Sequence, residues 1–181
     1  MEFFGVDLPH TRKIAYMAVL TALCAVVNMF SIDIAGIFKL SFVTAVCMIS
    51  AYLFGPILGG VIAFLGDLIG FLLVPSPYAY SPYIGLCNVL FTVIVGVLYI
   101  LLTKRFGFVC TSVIALFVAH IVSSVFLNSY IVSSLYSQSG FWPIVGQRIL
   151  FQTPVNAVNG LLAILVVKGM SKTSFFKLPK V

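Results

Sequence analysis

The chain has 181 residues, of which 62% are hydrophobic and only 8% charged, and its mean hydropathy is +1.21. A soluble domain carries about 25% charged residues, so four acids and ten bases cannot cover the surface of a water-soluble protein of this size. The composition predicts an all-α integral membrane protein with a single domain over residues 1–181. The net charge is +6, but the basic residues form no patch interleaved with exposed aromatic residues, so we expect no nucleic-acid partner.

Six apolar segments predict six transmembrane helices, at about residues 12–32, 40–54, 56–74, 83–103, 107–127 and 144–168. Gly55-Pro56 separates the short second span from the third, which begins with proline as helices often do. Polar residues after the fifth span, as far as Tyr136, are compatible with a longer helix. A loop over Gln138–Pro143 holds Trp142, a residue typical of the membrane interface.

Most of the ten bases belong to one side of such a six-span protein. They lie at the two ends of the chain and in the connection after the fourth span: Arg12, Lys13, Lys104, Arg105, Lys168, Lys172, Lys177 and Lys180. Only Lys39 and Arg148 fall on the other side. Because cytoplasmic loops carry an excess of Lys and Arg, we expect both termini in the cytoplasm.

No arrangement of residues in the sequence indicates an enzyme, a metal site or a cofactor. The four cysteines, at positions 24, 47, 87 and 110, form no C-x-x-C pair and are interpreted as small core residues. His120 lies within a span and is interpreted as a hydrogen-bonded core residue. We therefore expect no catalytic residues and no cofactor.

A polar stripe on the sixth span is the main candidate for ligand binding. Arg148, Gln152, Asn156 and Asn159 follow one another at i, i+4, i+8 and i+11 on an otherwise apolar helix. Arg148 suits bidentate contact with an anion, although a snorkelling arginine would also fit this position. The full set of candidate substrate-binding residues is Asn28, Lys39, Tyr78, Tyr80, Tyr83, Asn88, Arg148, Gln152 and Asn156.

The stretch Leu53–Tyr83 contains the one carboxylate that lies deep in an apolar span, Asp67. Such a residue is costly in hydrocarbon and marks a functional site by default, although it could equally be a structural partner for a neighbouring helix. The uncharged loop Pro75–Pro82 that follows is interpreted as an external gate over the pocket. The residues assigned to gating or structural support are Asp67, Pro75, Pro77 and Trp142.

Small residues form one face of the first span. Ala15, Ala18, Ala22 and Ala25 fall at i, i+3, i+7 and i+10, and Ala18-x-x-x-Ala22 is a spacing that allows another helix to approach closely. Packing inside the bundle would explain this face. Docking of a separate membrane subunit would explain it as well.

Three segments resemble the S components, or substrate-binding subunits, of energy-coupling factor (ECF) transporters of the folate type. They are RKIAYMAVLTAL (12–23), KLSFVTAVCMISAYLFGPILGGVIAFLGDLIGFLL (39–73) and the stripe 148–156. The resemblance implies a six-helix bundle in the bacterial cytoplasmic membrane that binds a water-soluble vitamin from outside. It also implies docking of the alanine face on a transmembrane coupling protein driven by two ATPases, with transport by toppling of the whole S component.

The sequence departs from this family where the fourth span begins. Folate-binding members have a P-G-F-T-L-like segment, whereas this chain has Ser81-Pro82-Tyr83-Ile84-Gly85-Leu86. Arg148 and Lys39 suit a carboxylate, which pantothenate and folate both carry, and pantothenate is the favoured vitamin. Folate and a pyridoxine- or hydroxymethylpyrimidine-type vitamin are the alternatives, and a small stand-alone carrier or a membrane enzyme is the alternative from another class.

Overall fold

The computed structural model describes residues 10–34, 38–74, 80–135 and 140–171, which are almost entirely helical. A short antiparallel hairpin follows the first helix. In chain order the elements are α1 (His10–Met29), β1 (Ile32–Ile34), β2 (Phe38–Leu40), α2 (Val43–Leu73), α3 (Pro82–Ala119), the π-helical segment π1 (His120–Leu127), α4 (Asn128–Leu135), α5 (Phe141–Gln147), the π-helical segment π2 (Arg148–Gln152) and α6 (Thr153–Met170).

Four continuous helical stretches are long and apolar enough to cross a membrane, within the part of the chain that the structure describes. They are His10–Met29, Val43–Leu73, Pro82–Leu135 and Phe141–Met170. Helices are the expected solution because hydrocarbon offers no water to satisfy backbone N–H and C=O groups. The chain is therefore a multi-pass membrane protein, as its composition predicts.

Two glycines interrupt the long helices α2 and α3. Gly55 has φ 82° and ψ −179°, and Gly107 has φ 74° and ψ 167°, a backbone region that is essentially restricted to glycine. A Cβ on Gly59 would lie 3.1 Å from the backbone of Ala51, although residues eight apart in a straight helix are separated by about 12 Å. The chain therefore turns back on itself at Gly55, where the sequence Gly-Pro predicts a break.

The core lies between α2, α3 and α6, with one face of α1 added to it. Tyr52, Tyr99 and Phe108 form an aromatic group near the two bends, with ring centroids 4.9 to 5.9 Å apart. Tyr99 and Phe108 lie on opposite sides of Gly107 in the sequence, so their contact requires the bend there. Most large apolar side chains on the outer faces of the helices are exposed, as lipid-facing residues should be.

The connections differ from the sequence-based prediction in two places. The predicted first span extends to residue 32, but α1 ends at Met29 and the chain enters the hairpin β1–β2, in which the backbone of Asp33 lies opposite that of Lys39. The predicted loop Gln138–Pro143 is wrong at its end, because α5 begins at Phe141 and includes Trp142. Proline is compatible with the first turn of a helix, whose N–H groups have no partner within the helix.

We predict that Gly55→Ala lowers the free energy of unfolding by about 1–3 kcal/mol, because alanine cannot adopt the backbone conformation at Gly55 without strain. Thermal unfolding in detergent micelles measures the effect. Gly169→Ala is the matched control, since a Cβ there meets nothing within 4 Å and the backbone is helical. Equal melting temperatures for both variants would show that the turn at Gly55 tolerates a side chain.

Candidate functional site

The carboxylate of Asp67 is the centre of the first of two polar clusters. Asp67 lies in α2, is 9% exposed and receives hydrogen bonds from two asparagines. Asn28 Nδ2 of α1 donates to Asp67 Oδ1 and to the Asp67 carbonyl oxygen, both at 3.3 Å. Asn88 Nδ2 of α3 donates to Oδ1 at 3.1 Å. The carboxylate therefore joins three helices at one point.

Tyr80 approaches the same carboxylate from the segment just before α3. Its hydroxyl lies 3.5 Å from Asp67 Oδ2, where it donates a long hydrogen bond, and its ring packs 5.0 Å from that of Phe71. Burial raises the pKa of Tyr80 to about 12, and the negative charge of Asp67 and the hydrogen bond to it act in the same direction. The phenol therefore stays protonated at neutral pH and remains a donor.

Arg148 is the centre of the second cluster, although it lies in a helix that is otherwise apolar. It is 3% exposed. Its Nη1 donates to the carbonyl oxygen of Ser124 at 3.1 Å and to Gln152 Oε1 at 3.3 Å, and its Nη2 donates to Asn128 Oδ1 at 3.5 Å. The guanidinium is therefore enclosed by protein groups.

Both partners in the contact between Arg148 and the Ser124 carbonyl belong to π-helical turns. Ser124 is part of π1 and Arg148 opens π2. π-helical turns are rare and occur often at functional sites, because their wider hydrogen-bond pattern makes individual carbonyl groups available to side chains. Pro154, at the start of α6, has no N–H and so contributes to the altered pattern in the preceding turn.

A chain of hydrogen bonds continues from this cluster toward α2. Thr44 Oγ1 donates to Asn156 Oδ1 at 3.0 Å, and Asn156 Nδ2 lies 2.7 Å from His120 Nδ1. Since Nδ1 accepts that bond, the ring proton is on Nε2, which lies 3.0 Å from Thr153 Oγ1. The interpretation of His120 as a hydrogen-bonded core residue is confirmed. The chain ties α2, π1 and α6 together.

Each of the two clusters contains one buried charged side chain, Arg148 in π2 and Asp67 in α2. The interior thus presents a guanidinium and a carboxylate, with side-chain amides around each and the Tyr80 hydroxyl at the carboxylate. Such a set can orient a small polar molecule through charge and hydrogen bonds, and it includes no nucleophile paired with a base among the residues described.

The structure assigns the predicted site residues to different places. Arg148, Gln152 and Asn156 lie together, whereas Asn28, Asn88 and Tyr80 all bind Asp67. Tyr83, at the start of α3, is 60% exposed, and Trp142 is 72% exposed. The backbone of Lys39 is in β2. The remaining predicted gate and binding residues, Pro75, Pro77 and Tyr78, lie outside the described residues.

The predicted alanine face is divided between two environments. Ala15, Ala18 and Ala22 are exposed, but Ala25 is only 2% exposed. A Cβ on Gly70 of α2 would lie 3.0 Å from the carbonyl oxygen of Ala25, so this end of the face packs against α2. Ala25 is thus enclosed in the bundle, whereas Ala15, Ala18 and Ala22 are accessible on α1.

Thr44, Ser124 and Asn128 complete the site and were not among the predicted site residues. Threonine and serine are too common in membrane helices to stand out, and π-helical turns leave no recognised pattern in the sequence. His120 could have been recognised as a candidate site residue from the sequence, because an ionisable residue within a span is a functional candidate by the same rule that identifies Asp67.

The fold and sequence both have known relatives. The family described as ECF-type riboflavin transporter, S component, matches residues 9–172. A structure described as the S component of a bacterial ECF transporter has 20% sequence identity and a TM-score of 0.71, covering 91% of this chain and 98% of its own. A structure of FolT bound with folic acid has 22% identity and a TM-score of 0.66, covering 84% and 92%. No curated relative matches significantly.

We predict that Thr44→Val destabilises the protein by about 1 kcal/mol, because it removes the hydrogen bond to the buried Asn156 while keeping the shape of the side chain. Thermal unfolding in detergent micelles measures the loss. Thr21→Val is the matched control, since the Thr21 hydroxyl bonds only to the Met17 carbonyl of its own helix. A loss of stability no greater than that of the control would contradict a stabilising role for the hydrogen bonds that run from Thr44 through Asn156 to His120.

Proposed function

The chain belongs to the family of ECF-type riboflavin transporter S components, and we propose on this premise that it captures a water-soluble vitamin for import across the bacterial cytoplasmic membrane. S components are substrate-binding transport subunits and not enzymes. The observation that carries the proposal is the match over residues 9–172, supported by a fold shared with two S-component structures.

We propose six membrane spans in one domain, with both termini in the cytoplasm. The bends at Gly55 and Gly107 support this count, because each divides a helical stretch into two arms. The basic residues Lys104 and Arg105 precede the second bend and are exposed, which agrees with a cytoplasmic position for it. The hairpin β1–β2 and the segment before α3 then face the outside.

The buried guanidinium of Arg148 supports a ligand that carries a carboxylate. Its described acceptors, a backbone carbonyl and two amide oxygens, are neutral. A carboxylate that replaced one of them would form a charge-assisted and potentially bidentate pair, which is shorter and stronger than a bond to a neutral oxygen. Gln152 and Asn156 lie beside Arg148 and are proposed to hydrogen-bond the same ligand.

Pantothenate and folate both meet this requirement, and pantothenate remains the first choice from the sequence. Folate is the alternative, and riboflavin is a further candidate because the family description names it, although it carries no carboxylate for Arg148. The likeness to FolT, at 22% identity, supports the fold and leaves the ligand open. Calorimetric titration of the purified protein with pantothenate, folate and riboflavin, without ATP, discriminates among them.

The remaining predicted contacts are proposed to have three different roles. Asn28, Asn88 and Tyr80 are tied to Asp67 and are proposed to shape the pocket as well as to contact the ligand. Lys39, Tyr78 and Tyr83 are proposed to approach it from the outer side. Pro75, Pro77 and Trp142 are proposed to belong to the external gate.

We propose that Ala15, Ala18 and Ala22 form the surface that docks on a transmembrane coupling protein, which two ATPases drive. The three side chains are exposed on one face of α1, and small residues allow a partner helix to approach closely. Uptake would then require the partner and a toppling of the whole subunit. The competing hypothesis is a stand-alone carrier or a membrane enzyme, and robust uptake into liposomes by this chain alone would favour the carrier.

We predict that Arg148→Ala weakens binding of the carboxylated vitamin at least tenfold, or about 1.4 kcal/mol, because the charge-assisted pair is lost. Calorimetry on the purified variant measures the change. Arg105→Ala, which removes an exposed arginine, is the control. Arg148→Gln removes the charge but keeps a hydrogen-bonding side chain, and it covers the case in which the alanine variant does not fold. Unchanged affinity in a folded Arg148 variant would limit this residue to a structural role.

We predict that Ala18→Trp and Ala22→Trp retain vitamin binding but abolish stable association with the coupling protein, because the indole ring blocks close helix approach. Co-purification of the two membrane proteins measures association. Leu165→Trp adds the same ring at an exposed position of α6 and serves as the control. Association of the alanine variants at the level of the control would refute the assignment of this face.

A further inference from the structure

Helix α1 is attached to the rest of the bundle chiefly through α2. The two helices approach so closely that side chains opposite Cys24 and Asn28 are excluded. A Cβ on Gly66 would lie 2.5 Å from the Cβ of Cys24, and one on Gly70 would lie 2.7 Å from the Cβ of Asn28. The position of α1 is therefore set by its close contact with α2.

The polar contact in this zone is made by Asn28, which is 4% exposed. Its amide donates to two oxygens of Asp67, one in the backbone and one in the side chain. An interior without competing water strengthens such bonds. These two bonds tie the orientation of α1 about its own axis to Asp67.

The other oxygen of the Asp67 carboxylate, Oδ2, accepts a hydrogen bond from the Tyr80 hydroxyl. Room for this contact is provided by Gly85, where a Cβ would lie 2.7 Å from the Tyr80 hydroxyl and 3.2 Å from Asp67 Oδ2. Asn28 and Tyr80 use the two different oxygens of the carboxylate, Oδ1 and Oδ2. An asparagine at position 67 would replace one of them with an NH₂ group, which accepts no hydrogen bond.

We propose that Asp67 is a positioning residue that links the orientation of α1 to the Tyr80 segment at the start of α3, through the path Asn28–Asp67–Tyr80. The consequence for transport rests on the proposed function, in which α1 carries the docking surface Ala15, Ala18 and Ala22. A change at Tyr80 then alters docking at a face that Tyr80 does not touch.

The link can be tested without knowledge of the vitamin, because Cys24 is fully buried between α1 and α2. The purified protein is labelled with N-ethylmaleimide in detergent micelles, and modification of each cysteine is followed by peptide mass spectrometry. Tyr80→Phe keeps the ring contact with Phe71 and removes only the hydroxyl. We expect it to speed labelling of Cys24 at least about fivefold, as loss of a bond to a charged acceptor should.

Three controls accompany this measurement. Tyr130→Phe removes a hydroxyl from an exposed tyrosine and should leave labelling of Cys24 unchanged. Cys110, which is exposed, provides an internal reference for reagent activity. Asp67→Asn should match or exceed the effect of Tyr80→Phe, and the double variant should label no faster than Asp67→Asn alone. Additive effects in the double variant would overturn the shared path.

The affinity of each variant for the purified coupling protein is then measured in nanodiscs. Faster labelling of Cys24 together with at least fivefold weaker docking supports the proposal. Unchanged labelling in Tyr80→Phe overturns the link, and faster labelling with undiminished docking overturns its role in docking. If the wild-type chain itself fails to dock, the proposed function is contradicted, while the labelling result still decides whether Asp67 connects the two elements.

Discussion

A single carboxylate inside an apolar helix holds together the part of the molecule that faces α1. Asp67 would be costly in hydrocarbon on its own. Hydrogen bonds from α1, from α3 and from the segment that precedes α3 satisfy its carboxylate. These bonds are directional, whereas the surrounding apolar contacts are not. They therefore specify how three elements are oriented toward one another in a solvent that contributes little hydrophobic driving force.

The second cluster applies the same principle with the opposite charge. Arg148 is held by oxygens from π1 and from its own helix, and the chain Thr44–Asn156–His120–Thr153 fixes the neighbouring turn to α2. Each charged side chain thus links several helices through hydrogen bonds. Asp67 joins α2 to α1 and α3, and Arg148 joins π2 to π1 and α4.

Helices, bends and the polar stripe could be predicted from the sequence, because each depends on local composition. The break at Gly55 follows from Gly-Pro, and the stripe from Arg148 to Asn156 follows from helical spacing. The hairpin β1–β2 was missed because its strands are three residues each. Ala25 shares the spacing of the alanine face, but its burial depends on Gly70, 45 positions away in the sequence. Contacts of that range leave no local pattern.

The π-helical segments have a consequence for how such a site can change over time. A π-helical turn accommodates one residue more than the corresponding α-helical turn, so deletion of a single residue from π2 would restore regular α-helix while the helices on either side keep their faces. Only the residues of π2 itself, Arg148 among them, would point in a new direction. Single-residue insertions and deletions at π1 and π2 thus give a lineage a route to a different ligand on an unchanged bundle.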